Sequence, residues 1–231
     1  MKRSEINQAI KNAEALCEKY HVSLPEFAHW SPAQWERKKR QEVAELVDLH
    51  LGWDVTDLGR GDFDNIGLLL FTLRNGSPNG HPYSKPYAEK IMMTKVGQVT
   101  PMHYHWYKME DIINKAGGTL VVQVFNGNAD RTRSLDDVTV IVDGVPRQVK
   151  AGDLIYMQPG QSISIPPYLY HSFWAEGEDV LLGEVSMVND DNQDNCFFEE
   201  EGRFSEIEED ESPYRVLCNE YQQYFYHQEE Q

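Results

Sequence analysis

The sequence has few cysteines and no long apolar run. Cys17, Cys196 and Cys218 are widely spaced and form no CxxC pair, which fits reduced, buried thiols in a reducing compartment. No stretch approaches the roughly eighteen apolar residues that a membrane-spanning helix needs. The first residues lead into a polar helical pattern rather than a secretion signal. The sequence therefore predicts a cytoplasmic protein that does not bind membranes.

Basic residues are also scarce, with 21 lysines and arginines against 38 aspartates and glutamates, for a net charge of −17. A surface of this sign repels polyanions, so nucleic acid is not expected as a partner. Apolar residues make up 40% of the 231 residues and aromatic residues 11%, which is too much core-forming material for a disordered chain. This length suits one well-buried domain.

The N-terminal part has helical periodicity. Ser4 is expected to cap a first helix, whose apolar residues repeat every three or four positions: Ile6, Ile10, Ala13, Cys17 and Tyr20. A second helix is predicted from Pro32, with Gly52 just after its C-terminal end.

From residue 66 onwards, short apolar runs alternate with turn signals. Asp143-Gly144 is a hairpin turn signal between residues 138–142 and 145–149. The predicted strands cover residues 66–73, 90–95, 119–125, 138–142, 145–149, 154–157, 162–165, 171–175 and 180–187. Many short strands at close spacing favour an antiparallel sandwich or barrel over a parallel sheet.

Near the end of the chain, residues 199–211 hold eight carboxylates and one arginine, which predicts a solvated loop. Residues 213–227 combine tyrosines with polar groups. They are expected to form a terminal helix that packs on the sheet or on a second subunit.

The most informative segment begins at Gly97. His103 and His105 are two residues apart, so in an extended strand they point to the same side and can bind one ion. Glu110 can reach that ion from the next strand or turn, and His171, in a second segment bounded by glycine and proline, supplies a fourth ligand. A set of three imidazoles and one carboxylate suits Mn, Fe, Co, Ni or Zn.

These segments resemble the two motifs of the cupin superfamily. The first motif, G-x5-H-x-H-x4-E-x6-G, extends from Gly97 to Gly117. The second, G-x5-P-x-G-x2-H-x3-N, begins at Gly160 and keeps His171, but it has Tyr168 in place of glycine and Ala175 in place of asparagine. The resemblance implies a jelly-roll β-barrel with a metal inside its mouth.

The whole chain resembles one cupin branch, the D-lyxose isomerases, in its helical N-terminal region, in Lys-Pro-Tyr-Ala-Glu-Lys at residues 85–90 and in the core around the paired histidines. The resemblance implies a Mn-dependent isomerase that converts D-lyxose to D-xylulose and usually D-mannose to D-fructose, and that forms homodimers. It assigns metal binding to His103, His105, Glu110 and His171. It also implies one cupin domain over residues 1–231, with a helical region at 1–60, a barrel at 61–198 and an acidic loop and C-terminal segment at 199–231.

Interconversion of an aldose and a ketose moves a proton between C1 and C2 through an enediol. Four protein ligands on a six-coordinate ion leave two positions for the sugar oxygens. The reaction also needs a base, and carboxylates are the natural candidates. Glu184 and Asp190 lie on or just after the last predicted strand, and Glu110 is a further catalytic candidate. Strand alternation alone does not tell whether the polar face of Glu184 points inward or to solvent.

Lys90 and Lys108 are candidates for neutralising a developing negative charge or binding a sugar hydroxyl, and each also fits a surface position. Lys90 is counted with the catalytic residues and Lys108 with the substrate-binding ones. Tyr104 and Trp106 offer flat walls for a sugar ring, although aromatic residues in barrels more often belong to the core.

Arginine is sparse around both motifs, which favours a neutral sugar over a sugar phosphate. Two other functions fit the same ligand set: an iron-dependent oxygenase, and a non-catalytic protein that binds a sugar. The oxygenase would consume dioxygen, and the binding protein would not exchange the C2 proton with solvent.

Overall fold

The computed structural model of the chain describes residues 1–190, 193–199, 202 and 205–225. Within these ranges the fold is mainly β, as predicted, and its strands join in one antiparallel eleven-stranded sheet. The strands are β1 (Gly52–Thr56), β2 (Leu68–Arg74), β3 (Tyr87–Thr94), β4 (Thr100–His105), β5 (Glu110–Asn126), β6 (Val138–Val142), β7 (Val145–Val149), β8 (Leu154–Met157), β9 (Ser162–Ile165), β10 (Leu169–Met187) and β11 (Asn195–Phe197).

The two long strands, β5 and β10, form the centre of the sheet. Residues 169–176 of β10 pair with residues 119–126 of β5, and residues 180–186 pair with residues 110–117. Between these two halves the backbones approach so closely that a Cβ atom on Gly117 would lie 2.1 Å from the carbonyl oxygen of Asp179. Gly117 also has φ +101°, so a side chain is excluded here on both grounds.

Other strands extend each half of this pair. β4 pairs with the first half of β10, and β3 pairs with the second half. β8 and β9 pair with β5, and β1 and β2 continue the sheet beyond β3. The inward side chains of the two halves form one apolar core, which includes Leu70, Met92, Ile112, Leu120 and Phe173.

The helices are α1 (Arg3–Lys19), α2 (Pro32–Trp35), α3 (Ala44–Asp48) and α4 (Gln222–Phe225), with 3-10 turns at Glu26–His29 and Arg40–Val43. α1 packs its apolar face on the outer side of the sheet, where Ile6 and Ile10 join Trp53, Phe71 and Met93. Burial of each such side chain stabilises the fold by roughly 1.5–3 kcal/mol. None of the helices in the described ranges is long and apolar enough to span a bilayer.

Two helical predictions were wrong. Ser4 lies inside α1 rather than at its N-terminal cap, and its hydroxyl and backbone N–H donate to the carboxylate of Asp210. The predicted second helix is broken into α2, a 3-10 turn and α3, because residues 36–42 have no apolar side chain that would give one continuous buried face. Gly52 does not cap this region but begins β1, so the helical part ends before residue 52 rather than at 60.

The strand predictions were more accurate. The hairpin of β6 and β7 has the predicted bounds, and Asp143 and Gly144 adopt the positive φ angles, 51° and 76°, that its turn requires. β8 and β9 also match, whereas the predicted strands 171–175 and 180–187 are one continuous strand, β10.

The acidic segment at residues 199–211 is partly outside the described residues, and residues 206–211 lie along the N-terminal end of α1. There Glu209 forms an ion pair with the buried Arg3 at 2.6 Å, and Lys2 pairs with Glu208 in a short β-bridge. Of the terminal helix predicted within residues 213–227, the described part of the chain contains only α4. Residues 226 and 227 lie outside the described residues. Within the chain, Tyr221 and Phe225 pack on the N-terminal helical region, against Trp35, Val43 and Val47, rather than on the barrel.

Candidate metal centre and active site

Strand geometry places three histidines together. His103 and His105 lie on the same face of β4, and Tyr104 between them points to the other side. His171 is directly opposite His103 in the pairing of β10 with β4, and their ring centroids are 4.2 Å apart. One nitrogen from each of the three rings lies within 4.8 Å of the others.

Backbone contacts orient two of these rings. Nδ1 of His103 donates a hydrogen bond to the carbonyl oxygen of Pro101 at 2.8 Å, and Nδ1 of His171 donates to that of Leu169 at 3.0 Å. The Nε2 lone pairs are therefore left for another ligand. Nε2 of His171 and both nitrogens of His105 are buried and make no hydrogen bond of good geometry in the described structure. Such orphaned polar atoms are costly unless something binds them.

Glu110, at the start of β5, completes the group. Its Oε1 lies 3.2 Å from Nε2 of His171, and its Oε2 lies 3.3 Å from Nε2 of His105. The four predicted metal ligands are thus adjacent.

The electrostatics of this group suit a cation. Burial, together with the neighbouring histidines, holds the pKa of His103 well below its usual value, and burial with the nearby Lys108 lowers the pKa of His105. Burial alone would raise the pKa of Glu110, but the charge of Lys108 and the contacts with His105 and His171 outweigh it and keep the pKa well below normal. Neutral imidazoles and an ionised carboxylate are the forms that bind metals. The residues therefore fit a divalent transition metal.

A second charged cluster lies beside the histidines. Glu184 is opposite Lys90 in the pairing of β10 with β3, and Nζ of Lys90 lies 3.1 and 3.2 Å from its two carboxylate oxygens. Nζ of Lys108 lies 3.0 Å from Oε1 of Glu184 and 2.7 Å from Oε2 of Glu110. Burial would raise the pKa of Glu184, but Lys108 and Lys90 outweigh it and the pKa is lowered.

The exposure of the side chains at the end of β10 shows which face of this strand points inward. Glu184 is 4% exposed, whereas its apolar neighbours Val185 and Met187 are 48% and 52% exposed. The end of β10 therefore has its polar face inside and its apolar face outside, the reverse of the usual pattern.

The two clusters line one cavity. Its apolar wall includes Leu70, Met92, Phe173 and Phe197, and the ring of Phe197 lies 5.3 Å from that of His103. Asn195 also lines the cavity, and both Asn195 and Phe197 belong to the three-residue strand β11. Neither residue is predicted from the sequence, because so short a strand next to an acidic segment has no detectable periodicity.

Another missed residue fixes the turn between β4 and β5. The buried carboxylate of Asp194 accepts hydrogen bonds from the backbone N–H groups of Tyr107 at 2.7 Å and Lys108 at 3.0 Å. This turn carries Lys108 between the paired histidines and Glu110, so Asp194 determines where the lysine enters the cavity.

The structure does not place three of the predicted site residues at the cavity. Tyr104 and Trp106 pack with Tyr170 on the opposite face of β4, because strand alternation that directs both histidines inward directs Tyr104 outward. Asp190 lies in a neighbouring surface groove, where its carbonyl oxygen accepts the N–H of Asp194. The predicted substrate contacts of Tyr104 and Trp106 and the catalytic role of Asp190 are therefore not supported by their positions.

Comparison with known proteins identifies the relatives of this chain. A family model described as D-lyxose isomerase matches residues 1–221. The chain belongs to the D-lyxose isomerase family. It is 50% identical over 226 residues to the D-lyxose/D-mannose isomerase of Escherichia coli O157:H7, covering 97% of this chain and 100% of that protein. It is 51% identical over 223 residues to the protein of the same name from Serratia proteamaculans, covering 96% and 98%.

Solved structures show the same fold at lower identity. A mutant of the L-ribose isomerase of Acinetobacter sp. DL28 in complex with L-ribose has a TM-score of 0.59 and 14% identity, covering 90% of this chain and 98% of that chain. The L-ribose isomerase of Cellulomonas parahominis with L-psicose has a TM-score of 0.55 and 14% identity over the same shares. These likenesses confirm the predicted cupin-type, mainly β fold.

The second cupin motif keeps its turn in this member of the D-lyxose isomerase family despite its altered sequence. Tyr168, which replaces the motif glycine, has φ 63°, the left-handed conformation that glycine adopts easily. Its ring lies 5.5 Å from that of Tyr104 and 5.7 Å from that of Trp106. Contacts between these rings help to offset the backbone cost of this conformation.

Proposed function

We propose that this protein is a metal-dependent aldose–ketose isomerase that interconverts D-lyxose and D-xylulose, and also D-mannose and D-fructose. Membership of the D-lyxose isomerase family supports the reaction, and the names of the two relatives support the substrates. One observation carries the proposal: a buried carboxylate, Glu184, lies between two lysines in the same cavity as the three-histidine group. Neither an oxygenase nor a sugar-binding protein requires that carboxylate.

We assign His103, His105, Glu110 and His171 as the metal ligands, with Mn²⁺ as the metal. The donor set also accepts Fe, Co, Ni or Zn. When bound, the ion acts as a Lewis acid for the negative charge that develops on the sugar oxygens. The ligand side chains are already arranged for it, since hydrogen bonds to the backbone fix the rings of His103 and His171.

Glu184 is the proposed base. Its contacts with two ammonium groups favour the ionised carboxylate, which can take the proton from C2 of the aldose and return it to C1. Burial in an otherwise apolar wall keeps bulk water from competing for that proton.

The two lysines have different proposed roles. The three N–H bonds of Lys108 are matched by Glu110, Glu184 and Asn189, at 2.7, 3.0 and 3.1 Å. We therefore assign Lys108 to holding the two carboxylates in place rather than to the predicted substrate contact. Lys90 contacts both oxygens of Glu184 and Oδ1 of Asn189, so we assign it to donate to a sugar oxygen in place of one of the two carboxylate oxygens as the charge on the sugar changes.

The cavity favours a neutral sugar. Two lysines and two glutamates line it, so their formal charges cancel, and no arginine lines it among the described residues. Among the side chains that line the cavity, a phosphate group would therefore meet no cation that is not already paired with a carboxylate. The expectations of a cytoplasmic location and a homodimer remain part of the proposal. The exposed Tyr87, Val185 and Met187 on β3 and β10 provide an apolar face for a second copy.

The test is to incubate the Mn²⁺-loaded protein with D-lyxose, D-mannose, D-xylose and L-ribose and to identify products by chromatography. We expect D-xylulose from D-lyxose and D-fructose from D-mannose, and loss of both after the metal is removed with a chelator. Turnover that needs dioxygen, or binding of sugars without any product, would refute the proposed function.

A further inference from the structure

The lysines on either side of Glu184 share a third partner. Oδ1 of Asn189 accepts hydrogen bonds from Nζ of Lys90 at 2.8 Å and from Nζ of Lys108 at 3.1 Å. Asn189 follows the end of β10 at Met187, so it lies outside the strands that carry Lys90 and Glu184 and outside the turn that carries Lys108. Its amide oxygen thus links the two ammonium groups directly.

A second asparagine fixes Asn189. The backbone N–H of Asn189 donates to Oδ1 of Asn75 at 3.0 Å, and Nδ2 of Asn75 donates to the carbonyl oxygen of Asn189 at 2.9 Å. Asn75 is itself buried and directly follows β2. Because Asn75 contacts only the main chain of Asn189 in these two bonds, a change of the residue 189 side chain leaves the clamp intact.

The acceptor that Asn189 offers the two lysines is a neutral amide oxygen. The charges of Lys90 and Lys108 balance those of Glu110 and Glu184, so a neutral acceptor orders the ammonium groups without changing that balance. An aspartate at position 189 would keep the acceptor but would add a negative charge and compete with Glu184 for the same lysines. An apolar residue would leave two buried N–H donors without a partner.

We propose that Asn189 is a positioning residue, which holds both lysine ammonium groups at the carboxylate that moves the proton. Asn75 in turn holds Asn189 through its backbone. This inference rests on the proposed function, because Glu184 has this role only if the protein is an isomerase.

The test compares Asn189→Ala and Asn189→Asp with wild type in D-lyxose isomerisation. Both are expected to lower kcat by about 10- to 100-fold with a much smaller change in KM, since they disturb the charged groups rather than the sugar pocket. Asn128→Ala is the control: its side chain bonds Thr132 in an exposed loop, and it is expected to retain wild-type kinetics.

A second readout does not depend on activity. In Zn²⁺-loaded protein with ¹⁵N-labelled lysine, the ammonium protons of a buried lysine held by three acceptors exchange slowly on the NMR timescale and give separate signals. Lys90→Arg and Lys108→Arg would assign these signals. We expect Asn189→Ala to lose them and Asn189→Asp to keep them, so that only the aspartate variant combines ordered lysines with a low kcat.

Several results would overturn the inference. These are wild-type kcat in either variant, or a reduced kcat in Asn189→Ala with unchanged lysine signals. If Asn189→Ala does not fold, Asn189→Asp decides alone through its kcat. If the wild-type protein converts none of the sugars, the proposed function fails, while the NMR comparison still tests whether Asn189 holds the lysines.

Discussion

Replacement of Glu184 by glutamine tests the proposed base most sharply. The substitution keeps the shape and one carbonyl oxygen for Lys90 and Lys108, but it replaces the second oxygen, 3.2 Å from Nζ of Lys90, with an NH₂ group that cannot accept. Loss of one charged hydrogen bond costs about 1.5–3 kcal/mol of folding free energy. This corresponds to a fall in Tm of roughly 3–12 °C for a chain of this size.

Loss of the base itself has the larger effect. General-base catalysis contributes about 10²- to 10⁴-fold to the rate, which is roughly 3–5 kcal/mol of activation free energy. We therefore expect kcat for D-lyxose to fall by that factor at a temperature well below the Tm, with Mn²⁺ still bound. The matched control is Glu176→Gln on the exposed turn of the same strand, where the carboxylate accepts only the indole N–H of Trp174 among its side-chain contacts. Rates for Glu184→Gln within a factor of about 3 of wild type would exclude it as the base.

Three further changes test other parts of the structure. Saturating Mn²⁺, at about 100 times its Kd, is expected to raise the free energy of unfolding by about 2.7 kcal/mol and the Tm by roughly 5–11 °C in calorimetry. His171→Ala is expected to abolish most of this rise. An equal rise in the variant would show that His171 is not a metal ligand. Burial would raise the pKa of Asp57, but hydrogen bonds from Ser205, Gly59 and Gly61 outweigh burial and lower this pKa. The ionised Asp57 therefore stabilises the folded protein above the unfolded pKa of about 3.9, and this stabilisation is lost as the pH falls through the folded pKa. Urea unfolding between about pH 5 and 3 should therefore depend less on pH in Asp57→Asn than in wild type, and identical slopes would contradict this reasoning. Arg3→Met removes the ion-pair partner of Glu209 and of the largely buried Glu220. We expect the free energy of unfolding, measured in urea, to fall by about 3 kcal/mol. A fall of less than about 1 kcal/mol would show that these ion pairs contribute little to stability.

The grouping of the four proposed metal ligands could be predicted from sequence because it depends on local rules. Strand alternation puts His103 and His105 on one side regardless of the rest of the fold, and two short segments with fixed spacing identify Glu110 and His171. The hairpin at Asp143-Gly144 is equally local, since its turn type alone determines where the two strands pair.

What could not be predicted depends on pairing between distant segments. The inward face of Glu184 is set by its register against Lys90, ninety-four residues earlier in the chain. The predicted substrate contact of Tyr104 is a different case, because local strand alternation alone shows that a residue between two inward histidines faces the other way. Asn189 and Phe197 lie in short segments without periodicity, so only the three-dimensional structure brings them to the site.

The prediction of one continuous second helix was wrong for a related reason. Ser31-Pro32 is a sound start, and α2 does begin at Pro32. Its continuation was inferred from apolar residues on either side of a polar stretch. A helix in a folded protein is stabilised mostly by packing, and residues 36–42 offer no apolar face to pack.

The most direct test of the central claim, proton transfer by Glu184 beside the metal, is isomerisation of D-lyxose in D₂O followed by NMR. In protein equilibrated with D₂O beforehand, the lysine ammonium groups that contact this carboxylate carry deuterium, so we predict deuterium at C1 of the D-xylulose formed and at C2 of the recovered D-lyxose. Conversion to D-xylulose with no deuterium at either carbon would contradict the account, because it would show that hydrogen moves between C1 and C2 without a protein base that exchanges with solvent.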